Sequence, residues 1–195
     1  MGDRIETLTT YVSDMHALEK HLLEAFEKQL PLTENVPHAH TVVQQLVTSA
    51  RQHVEALEQR ARALGDTDKN IADVLKTAVS SLAGFAAGAI DWVRPQSVSK
   101  ALRDSYTATN HAIIGYIMLQ TTGVALSDTE TATLAQRHLQ DCVSNAQAIA
   151  NVMPSLVVKD LSDDVGNVAP GAATEVTGSQ NLSFLYHGSS STLGS

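Results

Sequence analysis

Apolar residues recur at steps of three and four along most of this chain, the spacing that gathers them on one side of an α-helix. In residues 5–30, Leu8, Tyr11, Met15, Leu18, Leu22 and Phe26 share a face, and Pro31 and Pro37 bracket the loop that follows. Residues 40–64 repeat the pattern with Val43, Leu46, Ala50, Val54, Leu57 and Ala61, and stop at Gly65. Their opposite side mixes Arg51, Glu55, Glu58 and Arg62, as a solvated face should. A third segment, 70–93, is apolar nearly all round and carries Gly84 and Gly88 four residues apart, a notch for a close helix neighbour. The fourth, 98–122, stops at Gly123 and places Tyr106, Asn110, Ile113 and Ile117 together. The fifth opens on Ser127-Asp128-Thr129-Glu130, the pattern of a capping box, and ends at Met153 before Pro154.

Five such segments predict an all-α protein with a helical-bundle domain over residues 1–158. Residues 159–195 lose the period and become rich in Ser, Gly, Thr, Asp and Asn, which predicts a mostly irregular C-terminal tail. One apolar island at 182–186 interrupts it. A tail gains nothing by exposing Leu182, Phe184, Leu185 and Tyr186 together, so these residues are expected to dock on the bundle, on a neighbouring subunit or on a separate protein partner.

Charge narrows the choice of partners. The formal net charge is -8 and no cluster of Lys or Arg exists, so nucleic acid and anionic membrane are poor candidates. The longest uncharged run, 77–90, is too short to span a bilayer. The first residues lack the apolar core of a signal peptide, and a cytoplasmic location is expected. A single cysteine, Cys142, excludes an internal disulfide framework and reads as a buried thiol. The apolar third segment and sparse charges leave faces to cover, which predicts a homo-oligomer, a dimer by default.

Helical bundles build their sites from polar side chains on inward faces. Glu19 lies between Met15, Leu22 and Phe26; His53 sits at the edge of the second stripe; His138 and Asn145 flank the stripe of Leu139, Cys142 and Ile149, with Asp141 further round toward solvent. His16, His21 and His111 fall off the apolar faces and are expected at the surface; His38 and His40 belong to the Pro-flanked loop. A buried carboxylate must be paired, protonated or bound to a cation. The inward set therefore has two readings. One is a metal or proton-handling centre with Glu19, His53, His138 and Asp141; the other is a hydrogen-bond network that fixes helix register, with Glu19 paired to a protonated histidine. Phosphate-loop, nucleophile-elbow, His-Glu-x-x-His and paired Glu-x-x-His patterns are all missing from the sequence.

Three stretches carry a resemblance to a known family. Residues 11–24 contain Asp14 followed by Glu19, residues 82–88 contain Gly84 and Gly88, and residues 106–116 run from Tyr106 through Asn110 and Ala112 to Tyr116. In these the chain resembles the ferritin-like, stress-associated YciF family. The resemblance implies a ferritin-like up-down four-helix core with one additional helix, and matches Glu19 to a metal-ligand carboxylate. It also implies an acid at Ser49, Glu and His at Ala112 and Asn110, and paired acids at Asp141 and Cys142, most of which this chain lacks. Two hard cations need several carboxylates. The expected function is therefore non-enzymatic: a stress-associated bundle acting through assembly or partner binding, its metal site degenerate and no cofactor required. The alternative is an iron- or manganese-binding oxidase, peroxidase or storage protein using the residual core site. A small-molecule carrier is a third reading with no specific residue behind it.

Overall fold

The computed structural model describes residues 4–65 and 97–179. All the elements among them are helical: α1 (Arg4–Thr33), α2 (Pro37–Leu64), α3 (Val98–Ala125), α4 (Thr129–Val165) and α5 (Ala172–Ser179). The third sequence segment with its glycine pair, and the tail island at 182–186, lie outside the described residues. No helix among the described residues is long and apolar enough to cross a membrane.

The first four helices form two antiparallel hairpins, α1–α2 and α3–α4, docked through α1 on α3 and α2 on α4. Cross-links fix the directions. Gln29 near the end of α1 bonds to Ala101 and Ser105 near the start of α3, while Met15 lies against Gly115. Gln45 early in α2 bonds to Asn145 late in α4, and Arg60 late in α2 bonds to Asp128 and Thr131 where α4 begins. Hence α2 and α3 run parallel on the diagonal, and Gly65 and Ser97 lie at opposite ends of the bundle. A four-helix bundle with one long crossover of this kind is the ferritin-like topology.

Each of the first four helices buries a face, built mainly on three- and four-residue steps. On α2 it is Ala39, Val43, Leu46, Ala50, His53, Leu57, Ala61 and Leu64. Thus His53 holds the centre of the stripe, not its edge, and Val54 is only half-buried. On α3 the stripe is Leu102, Ser105, Thr109, Ala112, Tyr116, Leu119 and Gly123. That face is about one residue out of phase with the expected one, so Ile117 is exposed and Asn110 is half-buried, its amide donating to Tyr106 O in its own helix. The small residues explain the difference. Ser105, Thr109, Ala112 and Gly123 give little hydrophobic signal but allow α3 to approach its neighbours closely, and a Cβ on Gly123 would meet Ala132 N at 2.7 Å.

Several helix ends differ from expectation. Helix α1 continues through Pro31 to Thr33, and Pro37 takes the first turn of α2, where a missing N–H costs nothing. Asp128, not Ser127, caps α4; its carboxylate accepts from Thr131 N at 2.8 Å while Ser127 turns the chain at φ 50°. Helix α4 does not stop at Met153 but passes Pro154 and ends at Val165. Continuing it buries Leu156 and brings the Asp160 carboxylate to Ser99 N at the start of α3, where N–H groups lack helical partners. The stretch after residue 158, expected to be irregular, thus begins with helix, and α5 packs against α4 beyond it.

Candidate functional site

At mid-height the four stripes bring Glu19 (α1), His53 (α2), Tyr116 (α3) and His138 (α4) together, all nearly inaccessible. Glu19 Oε1 accepts from Tyr116 Oη at 2.8 Å and faces His53 Nδ1 at 3.0 Å. The other imidazole nitrogen, Nε2, faces Asp141 Oδ2 at 3.3 Å. Tyr116 Oη in turn accepts from His138 Nδ1 at 3.1 Å. The two imidazoles stack, centroids 4.0 Å apart and planes 19° from parallel, and Tyr116 stands edge-on to both.

This geometry assigns the protons. Burial pulls the His53 pKa down, but hydrogen bonds and charge from Glu19 and Asp141 outweigh it and hold the ring above its ordinary value. Both His53 nitrogens then donate to carboxylates as an imidazolium. Burial pushes the His138 pKa down to about 3, helped by the His53 charge beside it and then by Arg137. His138 is therefore a neutral ring with its proton on Nδ1. Burial, followed by the Glu19 charge, raises the Tyr116 hydroxyl well above its usual range, so it remains a donor. The buried Cys142 thiol is also raised, by burial and then by Glu19 and Asp141. The cluster is a closed set: a buried carboxylate, an imidazolium between two acids, a neutral imidazole and a phenol.

Beside Glu19 lies an internal cavity lined by Leu22, Phe26, Leu46, Ala50, His53, Thr109, Ala112, Cys142 and Asn145, all buried. It holds about 10 Å³ for the centre of a water-sized sphere. Candidate ligand atoms of Glu19, His53 and Cys142 lie within 4.8 Å of one another.

Of the four residues singled out for a metal, Glu19, His53 and His138 do converge, and Asp141 reaches in from a side chain 46% exposed. His138 offers its Nδ1 to Tyr116 and stacks on His53. Asn145 is buried at the far edge and bonds to Gln45. Asn110 is not part of the cluster. Ala112 and Cys142, which the resemblance matches to acids, do line the cavity; Ser49 and Asn110 do not. His16 corrects the expectation of exposure. Helix α1 packs on both α2 and α3, its buried arc runs unbroken from Met15 to Glu19, and burial followed by Lys20 lowers the His16 pKa. His111 is exposed as expected, and His21 half-buried. The residues missed were Tyr116 and Thr109. A tyrosine in a stripe of Ser, Thr and Ala was the available signal, since a buried phenol needs a partner for its hydroxyl.

A family model described as a domain of unknown function, DUF892, matches residues 4–162. A crystal structure of a protein from Xanthomonas campestris pv. campestris is similar in fold, with a TM-score of 0.65 and 18% identity, covering 84% of this chain and 99% of that one. No curated protein matches the sequence.

Proposed function

Because the chain belongs to the DUF892 family, and its described residues form two docked antiparallel hairpins in which α2 and α3 run parallel, we propose that it is a non-enzymatic, ferritin-like protein akin to the stress-associated YciF proteins. It acts in the cytoplasm through assembly with further copies or a protein partner, with no nucleic-acid or membrane role. Its metal site is degenerate and it needs no cofactor.

The observation that carries this reading is the charge balance around Glu19. The positive charge a buried carboxylate requires comes from His53, itself held by Asp141. A pair of irons needs several carboxylates, whereas Glu19 is the one fully buried acid among the described residues, and the adjoining space takes a single water-sized body. Assembly is supported by the outer side of α3, where Ile114, Ile117, Met118 and Val124 are all exposed. The apolar tail residues Leu182, Phe184, Leu185 and Tyr186 supply a second contact element.

Metal analysis of protein purified without chelators, before and after incubation with iron(II) or manganese(II), tests the reading together with the mass in solution. A metal-poor oligomer is expected, and stoichiometric iron or manganese defeats the proposal. A second reading, a metal-binding oxidase, peroxidase or storage protein, is favoured by the approach of Glu19, His53 and Cys142 to one another. It requires that Glu19→Ala remove bound metal while the helices persist.

A further inference from the structure

Thr109 is the one described residue whose fully buried side-chain oxygen or nitrogen lacks a hydrogen-bond partner. The residue is 3% exposed, so bulk solvent does not serve it. Threonine hydroxyls in helices ordinarily bond back to the preceding turn, and this chain does so at Thr10, Thr107, Thr121 and Thr122. Thr109 does not. One turn earlier on the same stripe, the Ser105 hydroxyl is spent on Gln29 and Ala101. One turn later stands Ala112, with no polar side-chain atom.

The unpaired hydroxyl borders the internal cavity that Glu19, His53, Cys142 and Asn145 also line. That space, about 10 Å³ for the centre of a water-sized sphere, sits at the roughly 10–15 Å³ needed for one buried water. It is too small for a hydrated ion or a cluster. The lining is mostly apolar, but the orphan Thr109 hydroxyl and the Glu19 carboxylate on it distinguish the space from a wholly apolar void, which stays dry. We propose that the cavity is a binding site for a single neutral water molecule, held between the Thr109 hydroxyl and the Glu19 carboxylate. Ala112 leaves the room, Thr109 and Glu19 supply the hydrogen bonds, and the Asn145 amide or Cys142 thiol provides a third contact. The water extends the network that begins at solvent-facing Asp141 through His53 and Glu19 to α3, and gives Glu19 a donor besides His53 and Tyr116.

A high-resolution crystal structure of the full chain, with anomalous data, reads the site directly. One peak without anomalous signal, within about 3.2 Å of Thr109 Oγ1 and a Glu19 oxygen, is expected. An empty cavity overturns this inference and leaves the non-enzymatic reading intact; an anomalous metal peak overturns both. In solution, oxygen-17 relaxation dispersion counts long-lived internal waters. Wild type should hold one more than Thr109→Val, whose isosteric side chain cannot bond to water, and one more than Ala112→Val, which fills the space. Equal counts in all three proteins would overturn the assignment.

Discussion

His53 and His138 stack face to face at 4.0 Å with only one of them charged. The asymmetry follows from what each edge meets: His53 has a carboxylate at both nitrogens, and His138 has a phenol at Nδ1. Charging both would place two cations in contact inside the bundle.

Stability should therefore peak near the ordinary histidine pKa. His53 is raised in the folded state, so its contribution is complete below about pH 6.5 and fades as pH climbs through its folded value. His138 is lowered to about 3, so the unfolded chain takes up its proton first and stability declines as pH falls from about 6.5 toward 3. His138→Gln should flatten that acid limb by one proton, about 1.4 kcal/mol per pH unit, in urea melts from pH 4 to 6. An unchanged acid slope would show that His138 titrates normally.

Removing the Glu19 carboxylate strands a buried imidazolium. Glu19→Ala should cost on the order of 3–5 kcal/mol, and Glu19→Gln less, because the amide still accepts from Tyr116 and fills the space. Chemical denaturation checks the order; equal, small losses would mean that the His53 charge is already satisfied by Asp141.

Tyr116→Phe keeps the ring and deletes one hydroxyl that serves two partners, Glu19 and His138. A loss of about 1–3 kcal/mol is expected, with the His138 imidazole resonance shifting in NMR spectra. A stability within error of wild type would remove Tyr116 from the network.

The two described glycines on α3 should respond differently to an added methyl. At Gly123 the new Cβ meets the backbone of Ala132 at 2.7 Å, which cannot yield without moving α4. At Gly115 it meets the Met15 sulfur at 2.5 Å, the far end of a flexible side chain. Gly123→Ala should destabilise by about 1–3 kcal/mol and Gly115→Ala by clearly less, as thermal melts would show. The reverse order would place the close helix contact elsewhere.

The sequence made the helices plain and the phase of some less so. Leucine-rich stripes, as in α1 and α2, announce which side faces inward, and Glu19 and His53 were visible because they interrupt them. On α3 three large apolar residues, Ile114, Ile117 and Met118, face outward, while between Leu102 and Tyr116 the inner face is built from Ser105, Thr109 and Ala112. Hydropathy thus favoured the wrong phase and hid Tyr116. The run through Pro154 was hidden for another reason. A proline costs a helix about 3 kcal/mol, and only the partners of Leu156 and Asp160, distant in sequence, reveal what offsets it. The tail island and the glycine-spaced segment fall outside the described residues.

The central four side chains divide between the hairpins. Glu19 and His53 bond within the first, Tyr116 and His138 within the second, and each hairpin alone leaves its polar pair half served. Only one sliding position of hairpin on hairpin lets Tyr116 reach Glu19 while Asp141 reaches His53. A slip by one turn, about 5.4 Å, would keep much of the aliphatic contact yet deprive Glu19 of its phenol donor and His53 of its second carboxylate. The pair of contacts therefore acts as a proofreading lock on docking, penalising every misaligned assembly more than it rewards the correct one.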